Sequence, residues 1–130
     1  MPGTDTKNLF LRDKSGRRHF LVSVGHDARV DIRALQRLID AKDLSFASPE
    51  RLREHLGVEP GSVTLIGLMN DPNKGVEVII DQAIWEADAI RCHPLVNTAS
   101  IIIGHEGLEK FLQITGHEPL VLSVPARPVE

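Results

Sequence analysis

Cys92 and His93 set the chain's single thiol beside an imidazole, the two groups of a cysteine nucleophile and its base. Adjacent residues of an extended strand point to opposite faces, so a dyad there is excluded, and a small buried cysteine beside a strand-end histidine is the plainer reading. His93 precedes Pro94 between two strand-like segments, in a loop where an imidazole can reach a pocket and hydrogen-bond a substrate near neutral pH. Lys7 is a second candidate. Period-2 alternation puts it on one face with Leu9 and Leu11, while Asn8 shares the other with Phe10. If the Lys7 face is core, an ammonium points inward at a strand end and needs an anionic or carbonyl partner; if not, Lys7 is a solvated edge residue. Gly61, Ser62, Val63 and Thr64 can expose consecutive backbone N–H groups to an anion or carbonyl oxygen, or simply turn into a strand.

Other polar groups point less clearly to chemistry. Arg33 and Arg37, four apart with Arg29 just ahead, make a basic ridge that can meet phosphates or only water. His19, His26 and His55 have no metal-ligand spacing, and His105 and His117 flank a final helix, where surface roles are expected. Neither a metal nor a cofactor is expected. The chain has no Gly-x-x-x-x-Gly-Lys loop, His-Glu-x-x-His, Cys-x-x-Cys or Gly-x-Ser-x-Gly, which removes support for several familiar enzyme classes.

The elements that must position these groups are short. Residues 7–12 and 18–24 read as a β-hairpin around Asp13, Lys14, Ser15 and Gly16. Asp31 is placed to cap a helix with Ile32, Leu35, Leu38 and Ile39 inward; after a short strand over residues 44–47, Ser48 and Pro49 open a second helix that Gly57 closes. Residues 63–68 and 76–80, joined by a loop containing Asn70, Asp71, Pro72 and Gly75, suggest a second hairpin. A helical turn through Trp85 follows, then strands at 89–92 and 98–103, a helix with Leu108, Phe111 and Leu112 inward, a stop at Gly116 and a last strand at 120–124. This pattern predicts one mixed α/β domain over residues 1–130 with a mostly antiparallel sheet, and it excludes a simple Rossmann repeat.

Composition narrows the function classes. With 130 residues, 42% apolar and 25% charged, the chain supports one core. The longest apolar runs, such as Ile101, Ile102 and Ile103, are too short to span a membrane, no basic-then-apolar leader is visible, and a lone cysteine suits a reducing compartment. Cytoplasmic location is expected. Net charge is -3, with eleven Lys and Arg against nine Asp and Glu in residues 1–65 and four against nine in residues 66–130. Such a chain is not held on nucleic acid mainly by counterion release, although a brief end-on contact with RNA fits. Four phenylalanines, one tryptophan and no tyrosine do not make a base-stacking platform.

Residues 2–11 (PGTDTKNLFL), residues 61–71, residues 92–98 (CHPLVNT) and the Gly-His-Glu-Pro at 116–119 occur in the order found in the YbaK/prolyl-tRNA synthetase-associated editing domain family. Across nearly its whole length the chain resembles that family, most closely the free-standing prolyl-tRNA deacylase branch. The resemblance implies a mixed α/β fold around a strongly bent, barrel-like sheet, and hydrolysis of the ester of mischarged tRNA(Pro), most often alanyl-tRNA. It implies Lys7 as the characteristic active-site lysine, His93 as the pocket histidine and Asn8 as Lys7's neighbour in this branch. Cys92 and the loop of Gly61, Ser62, Val63 and Thr64 would contribute to substrate binding. Leu65 stands where the family's loop has proline, which alters loop rigidity, and the family's N-terminal helix and strand are absent ahead of residue 1. The implied mechanism is direct attack by water, with Lys7 stabilising or orienting the substrate, backbone N–H groups of the loop holding the carbonyl or terminal adenosine, and His93 positioning substrate or water. Implied partners are the tRNA(Pro) acceptor end and prolyl-tRNA synthetase or elongation factor, with a monomeric chain and no membrane. Cysteinyl-tRNA(Pro) deacylation and a non-catalytic tRNA- or synthetase-binding module are the competing readings.

Overall fold

The computed structural model describes residues 4–25, 29–57, 65–71, 75–92 and 101–125. Strands β1 (Thr4–Arg12) and β2 (His19–Gly25) form the expected hairpin, in register from Thr6 opposite Gly25 to Arg12 opposite His19. Its turn is held by the Asp13 carboxylate, which accepts from the Ser15 hydroxyl and from the N–H groups of Arg17 and Arg18. An aspartate at this position takes up turn donors that the ladder leaves free.

Helix α1 (Ile32–Leu38) starts where the Asp31 carboxylate accepts from the Ala34 N–H. Leu35 and Ile39 are buried, but Leu38, expected inward, is 59% exposed. At about 100° per residue, Ile32 and Ile39 fall to one side of Leu35 and Leu38 to the other, so a seven-residue helix buries only one of the two edges. Strand β3 (Ser45–Phe46) leads to α2 (Pro49–Leu56), capped by Ser48 and closed by Gly57 in the left-handed conformation.

The second expected hairpin does not form. Residues Leu65–Asn70 wind into a 3₁₀ helix instead of a strand. The cause lies outside the segment. Gly67 packs so closely on α2 that a β carbon there would lie 3.1 Å from the Leu56 side chain and 3.2 Å from its carbonyl oxygen, while Asn70 Nδ2 donates to the same carbonyl at 2.8 Å. Satisfying the end of α2 outweighs local strand propensity.

The chain continues through β4 (Val76–Asp81), α3 (Gln82–Trp85), β5 (Ala89–Cys92), β6 (Ile101–Gly104), α4 (His105–Thr115) and β7 (Leu120–Leu122). The last strand is shorter than expected, because the Val124 N–H turns to the Asp81 carboxylate. The sheet runs β6-β5-β1-β2-β4-β7, with β3 also on β1. The pairs β1/β2, β1/β3 and β5/β6 are antiparallel and carry most of the paired residues; β1/β5, β2/β4 and β4/β7 are parallel. The fold is therefore the mixed α/β type expected, mostly antiparallel. Its sheet is covered on both faces. One face packs Phe10, Leu21, Val78 and Ile80 against α2, α3 and α4, and the other packs Leu11, Phe20, Val22 and Ile79 against α1. Burying each of these side chains contributes roughly 1.5–3 kcal/mol.

Candidate active site

β1 carries two of the residues singled out in the sequence, and their surroundings follow from its register. Lys7 lies opposite Val24 and Asn8 opposite Ser23. Because both faces of the sheet are covered, the choice between a core face and a solvent face for Lys7 does not arise. Lys7 is half-buried on the α1 side, beyond Leu9 and Leu11, and Asn8 points to the other side with Phe10. Neighbouring positions on one strand thus serve opposite faces, so Lys7 and Asn8 meet in one pocket only around the end of the sheet.

That end is where β5 arrives. It runs parallel to β1, with Ile90 beside Thr4 and Arg91 beside Asp5, so the backbone reaches Cys92 next to the residues that lead into Lys7. The fold brings together the lysine and the strand end preceding His93, as a shared site requires. His93 itself, Gly61, Ser62, Val63 and Thr64 lie outside the described residues, as does the side chain of Cys92.

Ser23, missed in the sequence, stands out beside Asn8. It is 0% exposed, and its hydroxyl and the Asn8 Oδ1 are buried without a hydrogen-bond partner among the described residues. Cross-strand neighbours share a face, so two orphaned polar atoms sit together within one residue of Lys7. Buried polar groups in native proteins are otherwise almost always paired. The available signal was a lone hydroxyl in the apolar run Phe20, Leu21, Val22, Ser23, Val24.

Two histidines also depart from expectation. His117, expected at the surface, is buried: Nε2 donates to the Asp71 carboxylate at 2.9 Å, and Nδ1 lies 2.8 Å from the Thr115 hydroxyl. Asp71 also accepts from the Gly75 and Val76 N–H groups, so the pair ties the start of β4 to the end of α4. His19 is buried in a cluster with the rings of Phe10 and His55. The Arg51 guanidinium, which can only donate, lies 2.9 Å from its Nε2, so that nitrogen accepts and the ring is neutral. Burial first, and then the charges around His55, Arg51 and Arg12, push the His19 pKa down.

Arg29, Arg33 and Arg37 are exposed, a solvated ridge. A cavity of about 240 Å³ opens among Arg18, Ile39, Glu77 and Leu120, but no candidate residue lines it. Among the described residues, no group of three His, Cys, Asp or Glu could hold a metal ion, and no helix is long and apolar enough to cross a membrane.

A mixed, two-faced sheet with a half-buried lysine and orphaned polar atoms at the end where two parallel strands meet defines an α/β domain whose candidate site is built on strands. The family follows directly from comparison. Residues 2–111 match the aminoacyl-tRNA editing domain, and the chain belongs to that family, whose members act as aminoacyl-ester hydrolases. It is 39% identical over 111 residues to the prolyl-tRNA editing protein ProX of Acetoanaerobium sticklandii, covering 85% of this chain and 68% of that protein. It is 38% identical over 125 residues to the prolyl-tRNA synthetase associated domain-containing protein 1 of Danio rerio, covering 95% and 67%. A solved structure described as a candidate trans-editing enzyme for prolyl tRNA synthetase superposes with a TM-score of 0.65 at 20% identity, over 96% of this chain and 73% of that one, and so shares its fold.

Proposed function

We propose that this chain is a trans-editing deacylase that hydrolyses mischarged tRNA(Pro), with alanyl-tRNA(Pro) as its principal substrate, acting in the cytoplasm as a monomer. The observation that carries this reading is the similarity to ProX at 39% identity, in a chain that keeps Lys7 half-buried on β1 beside the end of β5. Water adds to the ester carbonyl, the bond to the terminal ribose oxygen breaks, and that oxygen leaves with a proton; free amino acid and tRNA are the products. The Lys7 ammonium stabilises the developing oxyanion or orients the ester. Asn8 contributes to binding the aminoacyl group around the end of the sheet, with the buried Ser23 behind it. Backbone N–H groups of Gly61, Ser62, Val63 and Thr64 hold the carbonyl or terminal adenosine, with Cys92 lining the site and His93 positioning substrate or water. Preference for alanine comes from a pocket too small for proline, since a small site rejects larger groups sterically. Contact is mainly with the acceptor end, and prolyl-tRNA synthetase or elongation factor are the proteins from which such a substrate would be received.

The test is single-turnover hydrolysis of alanyl-, cysteinyl- and prolyl-tRNA(Pro). Alanyl ester should disappear fastest and prolyl ester persist, and Lys7→Ala should slow the reaction by about 100-fold, the scale of one lost electrostatic contact. Preference for the cysteinyl ester would move the substrate assignment. Binding of tRNA with every ester left intact would make the chain a binding module.

A further inference from the structure

α1 lies over the side of the sheet that carries Lys7, and its direction is fixed at both ends. β2 finishes at Gly25, opposite Thr6, and just ahead of the helix Val30 joins one apolar cluster with Val24, the residue across from Lys7. The Asp31 N–H donates to the Pro125 carbonyl, and the neighbouring Val124 N–H donates to Asp81, one residue beyond the Ile80 that pairs with Ser23. The start of α1 is therefore at the Lys7 end of the sheet. At its other end the carbonyls of Ile39 and Asp40 accept from Arg18, which precedes β2, and the Lys42 carbonyl accepts from the Lys14 N–H. The helix thus runs from the Lys7 end back to the β1–β2 turn.

Its outer side is basic. Leu35 is buried against the sheet, and Arg33 and Arg37 each stand two residues from it, about 200° around the helix, so both project away from the sheet. They are exposed, as is Arg29 just ahead, and one turn of helix separates them, about 6 Å. Among the described residues none of the three has a carboxylate within salt-bridge distance. Asp31 is the one acidic residue from Arg29 to Leu38, and its carboxylate is taken by the Ala34 N–H as the helix cap. Like charges four apart on a helix cost stability, and no carboxylate among the described residues offsets that cost.

We propose that Arg33 and Arg37, with Arg29 leading into them, hold backbone phosphates in the acceptor stem of the RNA substrate. This rests on the reading of the chain as an aminoacyl-tRNA deacylase. Charge and placement both favour RNA. The ridge begins at the end of the sheet where Lys7 meets the aminoacyl ester, lies on the same side as Lys7, and leads away from it, so a strand whose 3′ terminus is at Lys7 continues along α1. Guanidinium forks match phosphate oxygens in pairs, and such contacts set the position of an RNA without reading its sequence. A few phosphates held on one helix also suit a chain of net charge -3 whose positive excess lies in residues 1–65.

The experiment measures binding of an uncharged acceptor-stem hairpin with a 3′ CCA end across a salt series, for the unmutated chain, Arg33→Gln, Arg33→Gln with Arg37→Gln, and Lys110→Gln. Lys110 is exposed on α4, which packs on the other face of the sheet, and serves as the control for net charge. Glutamine keeps helix propensity close to that of arginine, and thermal melts report folding. The expected result is about tenfold weaker binding in the double variant with a salt slope shallower by about two, roughly half of each change in Arg33→Gln, and no change in Lys110→Gln. KM for full-length aminoacyl-tRNA should rise in the double variant with kcat retained, while hydrolysis of an aminoacyl-adenosine ester stays unchanged. Unaltered affinity and slope in the folded double variant would overturn the proposal, as would an equal loss in Lys110→Gln or no hairpin binding by the unmutated chain. If the unmutated chain hydrolyses no ester, the deacylase reading fails separately, and hairpin binding still decides whether this ridge holds RNA.

Discussion

Two polar pairs, one at the start of β4 and one between β1 and β2, are finished differently. Asp71 and His117 form a closed set: the carboxylate accepts from Gly75, Val76 and His117, and the ring's second nitrogen meets Thr115. Asn8 and Ser23 face each other across β1 and β2 with Oδ1 and Oγ unpaired among the described residues. A buried polar group without a partner is costly, so a fold keeps one only where something else uses it. The closed pair is architecture; under the proposed function, the open pair belongs to the place where substrate is met. If the difference is real, mutating the first should cost stability and leave chemistry alone, and mutating the second should do the reverse.

The largest effect should come from the closed pair. Asp71→Ala strands two buried donors, the Val76 N–H at the start of β4 and His117 Nε2, together with the part-buried Gly75 N–H just ahead of it, and should lower unfolding stability by about 3 kcal/mol. Denaturant unfolding measures this directly as a lower midpoint at unchanged slope, while deacylation per folded molecule stays near that of the unmutated chain. A loss under about 1 kcal/mol would show that these bonds do not hold β4 to α4.

Ser23→Ala should reverse the pattern. Removing an orphaned hydroxyl from a fully buried site deletes its desolvation cost along with a small volume, so stability should change by no more than about 1 kcal/mol, with a gain as reasonable as a loss. Hydrolysis should fall by about tenfold, the scale of one lost polar contact supporting Asn8 at the site. Paired unfolding and single-turnover measurements on the same preparation check both halves. A drop in stability like that of Asp71→Ala, with activity intact, would place Ser23 among the structural residues and erase the contrast.

What the sequence made legible follows the range of the forces involved. The turn at Asp13, the caps at Asp31 and Ser48 and the stops at Gly57 and Gly116 are decided by bonds within a few residues, and each formed as expected. The 3₁₀ segment Leu65–Asn70 was misread as a strand because its geometry is dictated by the end of α2, and the burial of His117 because Asp71 is 46 residues away. Alternation correctly grouped Lys7 with Leu9 and Leu11, but it carries no information about a sheet with both faces covered. Ser23 was legible only as one hydroxyl in an apolar strand, a signal that gains meaning once Asn8 is known to lie across from it.

The smallest expected effect concerns His19, a third buried polar group, intermediate between the two pairs because its Nε2 is satisfied by Arg51 only while the ring is neutral. Its folded-state pKa is lowered from the ordinary 6.5 by burial, His55, Arg51 and Arg12, with Asp13 opposing. Below about pH 6.5 the unfolded chain takes up a proton at this position that the folded chain resists, so the unfolded state binds more protons and stability declines as pH falls. His19→Gln abolishes that uptake in both states. It should be less stable than the unmutated chain at pH 7, having lost the ring's contacts with Phe10 and His55, yet lose less on going from pH 7 to pH 5. Asp13 does not confuse this window. Although burial raises its pKa, hydrogen bonds from Arg18, Ser15, Gly16 and Arg17 outweigh burial and hold it below 3.8, so its contribution to stability is lost only in more acidic solution. Parallel pH profiles for the two proteins would show that His19 titrates freely in the folded chain, with Arg51 turned away toward solvent.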